Sequence, residues 1–154
     1  MTQEIRKSSN KIIGPLIGGI LGVAIVIFLM LRVFHRHSPS ASNDIDKELV
    51  AVANELNKTC PMMIDAMTRL DNAVALPGNI FQYNYTLVNY YKADLNADDL
   101  KMKLQPTIAN TIRTNPQLKF FRDKKAIMSY NYNDKNGEFV LNISITPDQY
   151  QEGP

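Results

Sequence analysis

The sequence predicts an α+β protein: an N-terminal single transmembrane helix, then a domain of order α-β-β-α-β-β with its helices packed on an antiparallel sheet. Three observations predict it. Residues 12–31 are uncharged and almost wholly apolar. Two later stretches repeat apolar residues every three or four positions, the period of a helix with one buried face. Other stretches alternate apolar and polar residues, the period of a strand with one buried face. The implied segments are a short basic flank (1–11), a transmembrane helix (12–34), a polar linker (35–43) and a soluble domain (44–150).

The apolar run comes first. Twenty residues at about 1.5 Å each span about 30 Å, the hydrocarbon thickness of a bilayer. A signal peptide has a shorter apolar core, and here Arg32 and Arg36 follow directly, so an uncleaved signal anchor is expected. Arg6, Lys7 and Lys11 precede the run. The excess of cations on that side predicts a cytoplasmic N-terminus and a periplasmic or otherwise extracytoplasmic C-terminal domain on a single-pass inner-membrane protein. Gly14, Gly18 and Gly22 recur every four residues and form a candidate helix-association face for a homo-oligomer in the lipid bilayer.

The chain carries 17 Lys and Arg against 15 Asp and Glu, for a net charge of +2. Its cations are unevenly placed, and the part after residue 37 is slightly acidic. Neither part is basic enough to expect nucleic acid as a partner. Both histidines, His35 and His37, stand at the membrane border, and the single Cys60 excludes an intrachain disulfide. Cys60 is read as a buried small apolar residue, with an intermolecular disulfide as the alternative.

The soluble domain opens with a helical pattern from Asp44, in which Ile45, Leu49, Val52 and Leu56 share a face. Asn43 or Asp44 serves as its N-cap, and Cys60–Pro61 ends it. Residues 62–76 read as one strand, with Asp65, Met67, Arg69 and Asp71 on one face. Pro77, Gly78 and Asn79 make a turn. Residues 80–91 alternate clearly and pair with the preceding strand as an antiparallel hairpin. A second helix starts near Asn96, with Asp98 and Asp99 suiting its positive end. Leu100, Leu104, Ile108 and Ile112 form its apolar stripe, and Pro106 predicts a kink or break. Residues 117–125 read as a mixed loop. Strands at 126–133 and 138–146 flank the Asn136–Gly137 hairpin signal, and a short tail follows Pro147.

The chemistry is narrow. With no histidine in the domain and no phosphate-binding loop, the expectation is no catalytic residue, no cofactor and no metal site. Carboxylates at Asp65 and Asp71, with Arg69 between them, leave a carboxylate-dependent enzyme as the weakest alternative. Their separation along a strand, about 20 Å, exceeds what paired acid and base groups use. Lys119, Arg122, Lys124 and Lys125, interrupted by Asp123, read as a solvated turn. Asn57, Asn84 and Asn142 begin N-x-S/T triplets, a pattern common by chance. Tyr83, Tyr85, Tyr130 and Tyr132 form i, i+2 pairs on neighbouring hairpins. They are read either as core packing or as a candidate partner surface.

The segment CPMMIDAMTRLDNAVALPGNIFQYNYTLVNY resembles an uncharacterised family of bacterial envelope proteins with a PMM-D--TRLD … YNYTLVN signature. Residues 114–116 and the segment from Tyr130 to Gly137 also resemble that family. The resemblance covers about residues 45–150 and implies a bacterial, membrane-tethered domain, without an activity or catalytic residues to carry over. Met67 stands where the pattern has an acidic residue, which weakens any charged site on that strand. The resulting expectation is a membrane-anchored protein whose exported domain binds another envelope component. A structural protein that self-associates through its Gly-rich helix is the alternative.

Overall fold

The computed structural model describes residues 43–151, with side chains from Lys47. Helix α1 (Asn43–Asn57) leads into a short strand β1 (Met62–Met63), then β2 (Thr68–Leu76) and β3 (Ile80–Leu87). A 3₁₀ turn (Lys92–Asp94), helix α2 (Ala97–Thr114), a second 3₁₀ turn (Pro116–Leu118) and helix α3 (Lys119–Asp123) follow. Strands β4 (Ile127–Asp134) and β5 (Phe139–Ile145) and a last helix, α4 (Pro147–Gln151), complete the described chain.

The strands lie in chain order, β1 to β5, in one sheet. Every neighbouring pair is antiparallel except β3 and β4, which run parallel from Ile80↔Ile127 to Leu87↔Asp134. This corrects the expected antiparallel sheet: the domain is α/β with a mixed five-stranded sheet. The reason lies in the connection. Parallel neighbours need a crossover of a dozen residues or more, and the α2–α3 segment supplies it. Period-two alternation is the same in both arrangements and cannot tell them apart.

The fold class is corrected on a second point. Among the described residues no helix is long and apolar enough to cross a membrane. The expected transmembrane helix at 12–34 lies outside the described residues, as do Gly14, Gly18 and Gly22 and the bilayer and homo-oligomer contacts expected of them.

Three local expectations also change. The single strand at 62–76 is broken, because Asp65 Oδ1 accepts the N–H groups of Met67 and Thr68, both at 2.7 Å. Such a side-chain turn competes with the strand ladder. Helix α2 runs through Pro106 without a break. The carbonyl freed by the missing N–H belongs to Met102, and both residues are exposed, so water can satisfy it. The mixed loop and the tail are helical, because Leu118, Phe121 and Tyr150 bury against the core.

The core is one cluster between the helices and one face of the sheet. Leu49, Val52, Ala53 and Leu56 of α1 and Leu100, Leu104, Ile108 and Ile112 of α2 are its helical side. Asn96 caps α2, accepting the N–H groups of Asp98 and Asp99 at 3.1 Å. Asn57, at the end of α1, clasps the edge of β2. Its Nδ2 donates to the Ala73 carbonyl at 2.8 Å, and its Oδ1 accepts the Ala73 N–H at 2.7 Å. A sheet edge that would otherwise offer a free pair of backbone groups is thereby closed there.

Candidate functional site

The sheet has two unlike faces, one centred on tyrosines and the other on asparagines. On the helix-covered face the parallel register sets Tyr83 beside Tyr130 and Tyr85 beside Tyr132. The four rings stack, with centroids 5.2 Å apart for Tyr85 and Tyr132 and 5.4 Å apart for Tyr83 and Tyr130. All are buried, at 0–6% exposure. The residues read as a candidate partner surface therefore lie beneath the helices and present no surface in this structure. Burial drives all four phenols well above their ordinary pKa, and the Asp65 carboxylate adds to the effect at Tyr132. The hydroxyls of Tyr83 and Tyr85 are enclosed and have no hydrogen-bond partner. Tyr150, by contrast, donates to the Ala126 carbonyl at 2.8 Å, and burial pushes its pKa up to about 12.

No described element covers the opposite face; its middle is polar, and Leu76, Ile80 and Ile127 form an apolar row at one end. One row across four strands is all asparagine: Asn72 on β2, Asn84 on β3, Asn131 on β4 and Asn142 on β5. The row on one side is Val74, Gln82, Ser129 and Ser144; the row on the other is Met63, Arg69, Thr86, Asn133 and Phe139. Side chains tie the strands together. Gln82 Nε2 donates to Asn84 Oδ1 at 2.9 Å, and Asn84 Nδ2 donates to Asn72 Oδ1 at 2.7 Å. Asn142 Nδ2 donates to Ser129 Oγ at 2.9 Å, and Ser129 donates to Gln82 Oε1 at 3.3 Å. Asp71 sits in the bulge between Leu70 and Asn72. It pairs with Arg69 Nε and accepts the Thr86 hydroxyl, each at 2.5 Å.

The carboxylate alternative loses its geometry here. Asp65 belongs to the turn before β2, and Asp71 is occupied by Arg69 and Thr86. Among the described residues no three His, Cys, Asp or Glu side chains group as metal ligands. Cys60 is free and half-buried; burial, then the Asp71 charge, raises its pKa and disfavours the reactive thiolate. Three of the four cations of residues 119–125 are engaged in structure. Lys119 pairs with Asp123 and Lys124 with Glu48, while Arg122 Nη1 donates to the carbonyls of Ile112 and Asn115 at the end of α2. A shallow open groove runs along α2, lined by Met102, Gln105, Pro106, Ala109, Asn110 and Arg113, with Gln149 of α4 on its rim. Met102 is 67% exposed there.

A family model described as a domain of unknown function, DUF8479, matches residues 44–141. The chain belongs to the DUF8479 family. No curated protein matches it significantly. Three solved structures share the fold of this DUF8479 domain. A Pseudomonas aeruginosa protein described as secreted is 15% identical with a TM-score of 0.58, over 71% of this chain and 98% of that protein. EpsS, the pilotin of the Vibrio vulnificus type 2 secretion system, is 11% identical with a TM-score of 0.55, over 72% and 96%. AspS, the type II secretion pilotin of Vibrio cholerae, is 9% identical with a TM-score of 0.53, over 70% and 93%. At these identities the likeness is one of fold.

The asparagine row is the feature that sequence reasoning missed. Its signal was present as alternation, with Asn84, Asn131 and Asn142 at the polar positions of three strands, but only strand register aligns them.

Proposed function

We propose that this chain is a bacterial envelope protein whose DUF8479 domain works outside the cytoplasm and binds another envelope protein. The observation that carries the reading is the fold shared over nearly the whole length of two secretion-system pilotins and of a protein described as secreted. The groove along α2 supports it as the docking surface. It is open, carries the exposed apolar Met102 beside Pro106 and Ala109, and has the polar Gln105, Asn110 and Arg113 around them. An apolar centre inside a polar rim is the anatomy of a protein interface.

Two measurements test this. Alkaline phosphatase fused after Pro154 is active only if the domain leaves the cytoplasm, so an inactive fusion refutes the compartment. A photo-crosslinking residue at position 102 captures one envelope protein, which the same residue at Lys58, just past the end of α1, does not. The captured protein, once purified, binds the native chain and binds Met102→Asp more weakly. Equal labelling from both positions, or equal binding of the Met102→Asp variant, counts against the groove.

A further inference from the structure

The uncovered sheet face has an unusual make-up for a surface in water. Asparagine is depleted in strands, because its carboxamide competes for local backbone bonds and packs poorly on a pleated surface. Solvent-facing strand positions are served better by β-branched residues and long charged ones. Yet Asn72, Asn84, Asn131, Asn133, Asn142 and Gln82 fill the middle of this face, between the apolar row of Leu76, Ile80 and Ile127 at one end and the row that carries Met63 and Phe139 at the other, and no lysine or glutamate stands in any of these rows.

We propose that this face binds an uncharged, hydroxyl-rich glycan chain laid along the asparagine row. Electrostatic complementarity selects the occupant. Among the described residues, the charges on the face are Arg69 and Asp71, which pair with each other at 2.5 Å. A phosphate backbone or an anionic headgroup finds no free cation there. A neutral chain of hydroxyls and amides matches the donors and acceptors that remain. In the row, Asn72 Oδ1 accepts from Asn84 and Asn142 Nδ2 donates to Ser129, which orients both amides. Holding side chains in place before binding lowers the entropy lost on binding. Four strands at about 4.8 Å spacing make the row about 14 Å long, a span of several sugar rings. Phe139, 52% exposed in the adjoining row next to Asn133, adds an apolar ring against which a sugar face can pack. The surface is separate from the α2 groove, so this inference stands apart from the protein-binding reading.

The test uses the full chain, with chitotetraose and maltotetraose as neutral probes, and follows binding by calorimetry and backbone amide shifts. The expected result is saturable binding of at least one probe, with shifts centred on β2 to β5 along the asparagine row. Asn131→Ala combined with Asn142→Ala weakens it by about ten-fold. Asn131→Asp, which keeps the shape and adds charge, weakens it as well, and so decides the matter if the double variant fails to fold. Asn110→Ala, in the α2 groove, leaves it unchanged. Binding of chitotetraose alone assigns the acetamido group to the recognised chemistry. Binding of both assigns the hydroxyls. Absence of saturable binding to either probe overturns the proposal, and so does binding that the row variants leave intact.

Discussion

Tyr83 and Tyr85 make a sharp test of the packing, because their substitution by phenylalanine is expected to stabilise the protein. Each hydroxyl is enclosed and lacks a partner. A buried polar group without a hydrogen bond forfeits its bonds to water, at about 1–3 kcal/mol. Removing the oxygen recovers that loss and leaves the ring stack in place, with Tyr83 still 6.0 Å from Tyr85 and 5.4 Å from Tyr130. The small void left behind takes back part of the gain. The net expectation is about 1 kcal/mol of added stability for Tyr83→Phe, and the same for Tyr85→Phe. Tyr150→Phe is the internal control with opposite sign. Its hydroxyl donates to the Ala126 carbonyl at 2.8 Å, so its loss strands a buried acceptor and costs about 1–2 kcal/mol. Urea unfolding followed by circular dichroism resolves differences of this size, provided the slopes stay equal. If Tyr83→Phe and Tyr85→Phe destabilise as much as Tyr150→Phe, the two hydroxyls have partners and the reasoning fails.

Three further outcomes are expected. Asn57→Ala frees both backbone groups of Ala73 at the β2 edge and lowers stability by about 1–3 kcal/mol in the same unfolding assay; an unchanged midpoint would falsify the edge-clasp reading. Burial works to raise the pKa of Asp134, but the N–H groups of Lys92, Glu138, Asn136 and Gly137 outweigh it and hold the carboxyl below its ordinary value. Its folded pKa being depressed, its contribution is complete above the unfolded value of about 3.9 and fades as pH falls through the lower folded value. The stability gap between the native chain and Asp134→Ala therefore narrows in acid, and a gap independent of pH between 2 and 6 contradicts this. Pro106→Ala restores an N–H inside α2 and removes a ring clash, so it raises the melting temperature; a lower one means that the proline supports the groove it lines.

How much was legible follows from what each pattern encodes. The stripe Leu100, Leu104, Ile108 and Ile112 names the buried face of α2, because a single helix fixes which of its residues point together, and all four are buried. The stop at Asn136–Gly137 is equally local: Gly137 takes a φ of +85° that other residues resist, and Asp134 accepts the N–H groups of Asn136 and Glu138 to close the turn. Asp65 was misread because a strand of period two and a side-chain turn look alike until the carboxylate is seen on the Met67 and Thr68 amides. Phe121 and Tyr150 were read as loop and tail because helices of five residues show too little periodicity to stand out.

The sequence by itself determined the longer local elements: where the two long helices and the strands after Leu76 run, which side of each is apolar, and that the domain holds no histidine for catalysis. Only the tertiary structure decided how strands meet. The parallel pairing of β3 with β4 buried four tyrosines in one stack and lined up four asparagines on the opposite face. Alternation along a strand says which residues share a face. Register between strands, set by the α2 crossover and by packing across the sheet, says which of them become neighbours.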